Sequence, residues 1–420
     1  MEGPIDAPPE QPVTTGPLEG CRVIELAHIM AGPVCGLMLA DMGADVIKVE
    51  KVSGDDTRRS VPPDIAGESA AFMMMNRNKR GIVLDLKHAD GKAALLRLLK
   101  NADVVIENYR KGTMERLGLG YEALKSHNPG LIYCEISGFG RTGPYADRGG
   151  FDLIAQGMSG LMSITGEAPG RPPVKVGAPV SDITAGILGA MGVAAAYAHK
   201  LRTGEGQRVD TSLFEAAIVH TYWQSAIAFA TGASPGPMGS AHPLNAPYQT
   251  FRSADGWINI GAANQKNWER LVEILGVPEL KDDPRFISND LRMNNRLSLE
   301  RVLNDIFGQK TSGEWLDILE SGGFPAGPVL SVGEMHEDPQ TLARQMVVDT
   351  THPHAGQVKT IGLPVKFHGT PGGVRAPAPM LGQHTREVLA ECGYAVAEIE
   401  TMLNSGAATS LEDKAGSESR

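Results

Sequence analysis

The first half of the chain alternates short apolar segments with helical ones, and this alternation limits the possible folds more than any other feature. The predicted strands are Arg22–Leu26, Asp45–Val49, Gly81–Leu86, Asp103–Ile106 and Leu131–Ile136. The predicted helices between them are Gly32–Leu39, Gly91–Lys100 and Tyr121–Ser126. Such a pattern predicts an α/β fold with a parallel, doubly wound sheet covered by helices. Ligands of such sheets bind at the carboxyl ends of the strands.

Length and composition exclude several classes of protein. The chain has 420 residues, and at about 150 residues per domain this predicts two or three domains. Its four cysteines lie far apart and show no metal-ligand spacing, as in a reduced cytoplasmic protein, and no metal site is predicted. With 39 Lys and Arg against 49 Asp and Glu, the net charge is −10, which argues against a nucleic-acid or membrane-surface binder.

The two ends of the chain differ from its middle. Residues 1–17 lack the positive charge and apolar run of a secretory signal and predict a disordered lead, and residues 404–420 predict a disordered tail. The most apolar run, Ile183–Ala198, is shorter than the ~20 residues of a membrane span. Because it is rich in Gly and Ala, it predicts a tightly packed core helix and no membrane contact.

A doubly wound sheet raises the hypothesis of an NAD-dependent dehydrogenase. Glu50, at the end of the second predicted strand, has the position of an acid that binds ribose. The turn after the first strand reads AHIMAGPVCG, however, and lacks the G-x-G-x-x-G pattern that admits a pyrophosphate. The NAD-dependent dehydrogenase therefore stays an alternative, although the chain lacks the main sequence motif of that class.

Cations and amides follow several of the predicted strands. They predict a phosphate-rich ligand held by side chains, although a solvated basic surface would give the same pattern. The residues are Lys51, Arg58, Arg59, Lys87, Asn108, Tyr109, Arg110 and Arg116.

Several long motifs in a fixed order resemble the family III CoA-transferases, which include the formyl-CoA and carnitine CoA-transferases. The motifs include VIELAHIMAGPVCGLMLADMGADVIKVE, NRNKRGIVLDLK, ADVVIENYRKGTMERLGLG and GRTGPYADRGGFDLIAQGMSGLM. The resemblance implies a Rossmann-like large domain from residues 18–222 and 332–403, and a smaller α+β middle domain with its linkers from 223–331. It also implies a homodimer whose subunits are interlocked rings.

The resemblance places the catalytic aspartate at Asp182, in the motif VGAPVSDITAGILGAMG. The carboxylate would attack an acyl-CoA thioester to form a mixed anhydride and then an aspartyl-CoA thioester. Asp182 also precedes a Gly- and Ala-rich predicted helix, whose free N–H groups would favour the ionised carboxylate. The alternative is an ordinary helix cap. No permanent cofactor is expected, because coenzyme A enters as part of the substrate.

For coenzyme A, the resemblance indicates residues at the ends of the predicted strands. Cationic side chains would bind the phosphates, and Tyr109 would stack on the adenine. The implied residues are Met30, Ala31, Lys51, Leu84, Asp85, Leu86, Lys87, Asn108, Tyr109, Arg110 and Arg116.

Phe151 and Asp152, in the motif GGFDLIAQ, are implied near the reacting centre. In the related acyl-CoA racemases a histidine occupies the position of Phe151 and acts as a base. The aromatic residue therefore favours CoA transfer over a 2-methylacyl-CoA racemase, which stays an alternative. Asp152 could instead cap the helix that follows it.

Two departures from the formyl-CoA transferase subgroup bear on the acceptor. Met30 replaces a glutamine, and Gly239–Pro247 replaces a glycine-rich loop. Formate and oxalate are therefore disfavoured, and the resemblance implies a small organic acid, for example a dicarboxylate such as succinate. Succinyl-CoA is the implied donor.

Overall fold

The computed structural model describes residues 16–412, which divide into two compact units. The larger unit contains the described residues of 16–159, 178–219 and 339–412, and the smaller unit contains 160–177 and 220–338. The predicted assignment of 160–177, 220–222 and 332–338 to the large domain is therefore wrong. Within 160–177, the carbonyl oxygen of Gly166 accepts a backbone hydrogen bond of 2.9 Å from the N–H of Gly239 in the smaller unit.

The strands and helices are numbered in chain order. The strands are β1 Arg22–Glu25, β2 Asp45–Glu50, β3 Asp64–Ile65, β4 Glu68–Ser69, β5 Arg80–Leu84, β6 Val104–Glu107, β7 Ile132–Ser137, β8 Arg208–Ser212, β9 Tyr248–Arg252, β10 Trp257–Gly261, β11 Ala326–Pro328, β12 Val347–His352, β13 Gly356–Ile361 and β14 Ala408–Thr409. The helices are α1 Ala31–Asp41, α2 Ala70–Asn76, α3 Ala89–Lys100, α4 Thr113–Arg116, α5 Tyr121–His127, α6 Asp152–Met158, α7 Leu161–Ile164, α8 Val180–Thr203, α9 Leu213–Ile218, α10 Tyr222–Thr231, α11 Gln265–Ile274, α12 Asn289–Asn294, α13 Arg296–Phe307, α14 Ser312–Ser321, α15 Val332–Glu337, α16 Pro339–Ala343, α17 Thr385–Glu391 and α18 Val396–Asn404. Short 3₁₀ turns occur at Asp56–Arg59, Val219–Thr221 and Pro278–Lys281.

A seven-stranded sheet forms the centre of the larger unit, in the order β14-β5-β2-β1-β6-β7-β8. Every neighbouring pair is parallel except β14 and β5. The chain moves outward from β1 through β2 to β5 and then returns to the other side of β1 with β6. This reversal is the switch point at which doubly wound sheets bind ligands. The predicted parallel α/β sheet is confirmed.

Two hydrophobic cores cover the two faces of this sheet. Adjacent residues of a strand point to opposite faces, so Val23 and Ile24 of β1 belong to different cores. The core around Ile24 includes residues of α3, α17 and α18, whereas the core around Val23 includes residues of α1, α8 and α9. The sheet is therefore buried on both faces.

Helices α1 and α8 pack unusually closely because α8 presents glycines to α1. A Cβ at Gly186 would lie 2.7 Å from the carbonyl oxygen of Ala31, and one at Gly189 would lie 3.2 Å from the sulfur of Cys35. By length and composition, α8 is the one helix in residues 16–412 that could cross a membrane. Its glycine face is nevertheless part of the core, as predicted, while Ile187 and Met191 on its other face are exposed.

The predicted disordered ends need correction. Gly16, within the predicted lead, is buried against the backbone of Met42. Within the predicted tail, Ala408 pairs with Leu84, and both Ala407 and Ala408 are fully buried. This segment is ordered because it completes the edge of the sheet and its small residues fit the core. Residues 1–15 and 413–420 of the two predicted segments lie outside the described residues.

We expect a charge in this C-terminal strand segment to destabilise the larger unit. Ala407→Asp would place a carboxylate among apolar side chains and should lower the free energy of unfolding by about 3 kcal/mol or more. Denaturant unfolding measures the change, and Ser405→Asp at an exposed position is the control with little expected effect. Equal stability of the two variants would show that the segment does not contribute to the core.

The smaller unit contains the antiparallel sheet β11-β10-β9 and its own hydrophobic core. Trp268 of α11, Phe307 of α13 and Trp315 of α14 are buried in this core. Arg292 is buried as well, and its Nε donates to the carbonyl oxygen of Ala246 over 2.6 Å. The antiparallel sheet with packed helices agrees with the predicted α+β composition.

Candidate active site

Asp182 lies in the first turn of α8, close to the start of α1. The helix begins after Pro179, whose side chain makes no capping hydrogen bond. Asp182 therefore does not act as the cap, and the cap alternative from sequence is wrong. Its carboxylate instead lies near the backbone N–H of Ala31, the first residue of α1, and this N–H lowers its pKa. The close packing of α1 on α8 at Gly186 permits this contact.

The ionisation of Asp182 differs from the sequence-based expectation. Burial, and then the negative charge of Asp152, raise the pKa of Asp182 to about 6, while the Ala31 N–H donor lowers it. The helix start alone favours the ionised carboxylate and therefore predicts a pKa of Asp182 below its usual range. That direction is wrong because burial and a like charge disfavour ionisation more than the helix and one N–H donor favour it. At neutral pH the group is still mainly a carboxylate.

Asp152 is tied to the same helix start as Asp182. Its Oδ1 accepts a hydrogen bond from the backbone N–H of Ser181 over 3.0 Å, and its Oδ2 accepts one from Nε2 of Gln156 over 2.8 Å. Phe151, rather than Asp152, is the cap residue of α6. Asp152 thus satisfies a free N–H of α8 instead of capping its own helix.

Phe151 points its ring away from the core of the larger unit. Its relative exposure is 74%, the highest among the large apolar residues of α6 and its cap. The neighbouring Asp152 carboxylate is the acidic group that influences Asp182. The structure thus brings Asp152 to Asp182, and the predicted substrate contact of Phe151 stays a prediction.

The segments predicted to bind coenzyme A follow β1, β2, β5 and β6, which are adjacent in the sheet. Because these strands are parallel, their carboxyl ends lie along one edge. A cavity of about 80 Å³ opens there between the ends of β1 and β2. His28, Lys51 and Tyr109 line it, and the rings of His28 and Tyr109 lie 5.5 Å apart.

Asn108 is already occupied by protein contacts. Its Oδ1 accepts the backbone N–H of His28 over 2.9 Å, and its Nδ2 donates to the carbonyl oxygen of the same residue over 2.7 Å. It therefore holds the loop after β1 in place. Met30 ends this loop as the cap residue of α1, immediately before Ala31.

The remaining predicted residues fall into two groups by exposure. Lys87 after β5, Arg110 after β6 and Arg116 at the end of α4 are exposed to solvent. Lys51 is exposed as well and forms an ion pair of 3.0 Å with Asp56. Leu84 is buried in the core and Leu86 is partly buried against it, whereas Asp85 is half-buried and accepts a hydrogen bond from the N–H of Lys87 over 2.9 Å.

Sequence reasoning missed the buried charges beneath this edge. Glu25 of β1 lies directly opposite Lys48 of β2, and Lys48 Nζ contacts Glu25 Oε1 over 2.9 Å with both side chains fully buried. Asp55 and Lys79 extend this group. The available signal was a charged residue flanked by apolar residues in each of these two strands, Glu25 between Ile24 and Leu26 and Lys48 between Ile47 and Val49. The place of His28 in the cavity was not predicted either.

Comparison with known proteins agrees with this architecture. The family model for CoA-transferase family III matches residues 18–385. The chain is 42% identical to the succinate–glutarate CoA-transferase of Agrobacterium fabrum, over 91% of this chain and 97% of that protein. It is 41% identical to the succinyl-CoA:mesaconate CoA-transferase of Haloarcula hispanica, over 90% and 97% of the two chains.

A solved structure is also similar to the chain along most of its length. The crystal structure of a CaiB/BaiF family protein from Brucella suis superposes with a TM-score of 0.81 and 41% identity. The match covers 90% of this chain and all of that one. With the family match extending from β1 to α17, the chain belongs to CoA-transferase family III.

Proposed function

We propose that this enzyme transfers coenzyme A from succinyl-CoA to a small dicarboxylic acid, with Asp182 as the nucleophile. The observation that carries the proposal is the partly buried Asp182 carboxylate, which lies near the Ala31 N–H beside the edge where coenzyme A is expected. The choice of a dicarboxylate is supported by the two relatives, whose names specify glutarate and mesaconate as acids.

The proposed reaction proceeds through two kinds of covalent intermediate on Asp182. A carboxylate oxygen of Asp182 attacks the thioester carbonyl of succinyl-CoA, and cleavage of the C–S bond expels CoA thiolate and leaves a mixed anhydride of succinate and Asp182. The thiolate then attacks the aspartyl carbonyl, which releases succinate and forms an aspartyl-CoA thioester. The acceptor carboxylate reverses these steps and receives the CoA. Each exchange transfers one oxygen between the enzyme and an acid.

The surroundings of Asp182 fit a nucleophile of this kind. A carboxylate that is partly desolvated reacts more readily than one surrounded by water, because it gives up fewer hydrogen bonds on attack. A pKa of about 6 still leaves the group ionised at neutral pH. The nearby Ala31 N–H lowers the pKa of the carboxylate without removing its charge.

The exposed cations would hold the donor and product CoA. Lys51, Lys87, Arg110 and Arg116 lie along the carboxyl edge of the sheet and offer charge-assisted hydrogen bonds to phosphates. The Tyr109 ring lines the cavity at the switch point, where adenine could stack on it.

A panel of donors and acceptors tests the proposed reaction. Acetyl-, succinyl- and glutaryl-CoA are each incubated with succinate, glutarate, mesaconate, formate or oxalate, and the CoA products are identified by mass spectrometry. We expect exchange between succinyl-CoA and the four- or five-carbon dicarboxylates, and little with formate or oxalate. Exchange confined to monocarboxylic acids would contradict the proposed acceptor class.

The racemase alternative predicts a different product. Racemisation requires a second proton carrier opposite the aspartate, and Phe151 cannot carry a proton. We therefore expect no deuterium at the 2-position of a 2-methylacyl-CoA incubated with the enzyme in deuterated water. Rapid deuterium incorporation without CoA exchange to any acid would favour the racemase.

The pH dependence of kcat/KM should report the ionisation of Asp182 and the effect of the neighbouring Asp152 on it. Because the carboxylate must be ionised, kcat/KM should fall as the pH drops below about 6, the pKa of Asp182. Asp152→Asn removes the like charge that raises this pKa. The fall of kcat/KM at low pH, its acid limb, should therefore move to lower pH. The amide oxygen can still accept the Ser181 N–H.

The control for this experiment is Asp90→Asn, which changes an exposed aspartate in the first turn of α3. It should leave the acid limb in place. An upward shift or no shift for Asp152→Asn would show that Asp152 does not raise the pKa of the reacting group.

We further propose that the enzyme is an obligate homodimer with interlocked subunits. Three helices of the larger unit that pack on one another, α6, α8 and α9, expose large apolar side chains. A monomer rarely exposes so large an apolar surface, and a second copy of the chain would cover it. The residues are Phe151, Leu153, Ile154, Met158, Ile187, Met191 and Ile218.

Sedimentation at decreasing concentration tests the dimer. Because interlocked subunits cannot separate without unfolding, we expect no folded monomer even at nanomolar concentration. Met191→Lys on the exposed face of α8 should reduce the yield of folded dimer, whereas Lys125→Met on α5 should not. A compact, folded monomer of the unchanged protein would contradict the interlocked assembly.

A further inference from the structure

Four buried charged side chains lie beneath the loop that joins β1 to α1. Glu25, Lys48, Asp55 and Lys79 form this buried charge cluster. Lys48 Nζ lies 2.9 Å from both Glu25 Oε1 and Asp55 Oδ2, and Lys79 Nζ lies 2.8 Å from Glu25 Oε2. All four side chains are at most 1% exposed. With two cations and two anions, the cluster balances its charge internally.

Three members of the cluster also bind the backbone of the loop. Lys48 Nζ donates to the carbonyl oxygen of Ala27 over 2.9 Å, and Lys79 Nζ donates to that of Pro33 over 2.8 Å. Between these points, Asp55 Oδ1 accepts the backbone N–H of Ile29 over 3.2 Å. The three contacts lie on both sides of Ala31, the residue whose backbone N–H lies near the Asp182 carboxylate and lowers its pKa.

Ile29 has a backbone conformation that its side chain disfavours. Its φ angle is 68°, in the left-handed region where a β-branched residue is strained. Its side chain is 41% exposed, so packing of the side chain does not force this conformation. The hydrogen bond to Asp55 is the described contact that holds the backbone of Ile29.

We propose that Asp55, anchored by Lys48, is a positioning residue: it holds Ile29 in the left-handed conformation and thereby directs the Ala31 N–H at the Asp182 carboxylate. The proposal rests on the proposed role of Asp182 as nucleophile. Asp55 acts through the loop and does not touch the reacting atoms. The strain at Ile29 is the cost of bringing the first N–H of α1 to the start of α8.

A purely structural role of Asp55 makes different predictions. Asp55 also binds the N–H and Oγ1 of Thr57 at the start of a 3₁₀ turn, so its loss could simply lower stability. In that case the folded fraction would fall, but the folded enzyme would keep its kcat and its acid limb. A positioning role predicts a change in both, because the Asp182 carboxylate loses the neighbouring N–H that orients it for attack and lowers its pKa.

The main experiment compares Asp55→Ala with the double variant Asp55→Ala/Ile29→Gly. For Asp55→Ala we expect kcat for CoA transfer to fall about tenfold and the acid limb of kcat/KM to rise by about one pH unit, the effect of one lost hydrogen bond to a charged group. Asp152, the other charge that acts on Asp182, is unchanged in both variants. Adding Ile29→Gly should recover much of both losses, because glycine adopts a φ of 68° without strain.

Thr57→Val is the matched control. It removes the Thr57 hydroxyl from Asp55 but leaves the Asp55–Ile29 hydrogen bond, so kcat and the acid limb should stay at the values of the unchanged enzyme. A folded Asp55→Ala enzyme with unchanged kcat and acid limb would overturn the proposal. So would an impaired Asp55→Ala enzyme that Ile29→Gly does not improve.

If Asp55→Ala fails to fold, substitutions at position 29 decide the question. Ile29→Gly should keep the activity, whereas Ile29→Pro should lower kcat and raise the acid limb, because proline cannot adopt this φ and has no N–H for Asp55. Equal kinetics for the two variants would overturn the proposal. Asp182→Ala is assayed in parallel: an active Asp182→Ala enzyme refutes the proposed function, whereas an inactive one with insensitive Ile29 variants refutes only the positioning role.

Discussion

Replacement of Asp182 by Ala or Asn should abolish CoA transfer while the protein remains folded. Without a carboxylate at this position neither the anhydride nor the aspartyl-CoA thioester can form, so kcat should fall about 10⁴-fold or more, the scale seen when a nucleophile is removed. Asp182 is only partly buried at the start of α8 and contributes little to the core. Stability should therefore change little.

The assay follows CoA products by mass spectrometry, and thermal unfolding confirms that each variant is folded. Asp90→Asn controls for the loss of a negative charge at the start of a helix. During turnover, borohydride or hydroxylamine should modify Asp182 in the unchanged enzyme and leave the variants unmodified. Substantial transfer by Asp182→Ala would rule out Asp182 as the nucleophile.

The second large effect is expected from Lys48→Met. Burial alone would lower the pKa of Lys48, but the adjacent Glu25 and Asp55 carboxylates raise it above its usual range. Removing this cation leaves two buried carboxylates with one compensating charge, that of Lys79. Breaking a buried ion pair in this way costs about 3–5 kcal/mol of the free energy of unfolding.

Lys51→Met is the matched control, three residues further along the chain. Lys51 forms an ion pair with Asp56, but its side chain is 59% exposed, so its loss should cost about 1 kcal/mol or less. The same change should raise the KM for the acyl-CoA, which would separate ligand binding from stability. Denaturant unfolding compares the two variants, and equal losses of stability would contradict the buried charge cluster.

The fold of the larger unit follows closely from the apolar pattern of its strands. All five predicted strands are present within two residues of their predicted ends, because parallel strands buried on both faces are continuous apolar runs. The strand β14 was not predicted, since two buried alanines in a segment rich in Ser, Ala and Gly carry no periodic signal. The strand β8 was not predicted either, because its polar sequence RVDTS contains no apolar run.

The active-site prediction depended on the resemblance more than on local sequence. The position of Asp182 at a helix start was expected, but its pKa was not, because burial and the approach of Asp152 come from tertiary packing of residues far apart in the chain. The contact from Ala31 was likewise unpredictable, since it requires the glycine contact between α1 and α8. The register of Glu25 against Lys48 was the one feature that the two strand sequences could have indicated.

The transfer of oxygen between acid and enzyme tests the central claim most directly. The enzyme is incubated with succinyl-CoA and an excess of glutarate labelled with oxygen-18 in its carboxylates, and is then digested with trypsin. The tryptic peptide 176–200 contains a single acidic residue, Asp182. After many turnovers this peptide should gain heavy oxygen, because each acceptor leaves one carboxylate oxygen on Asp182. An unlabelled peptide, after the same number of turnovers, would contradict covalent catalysis by Asp182.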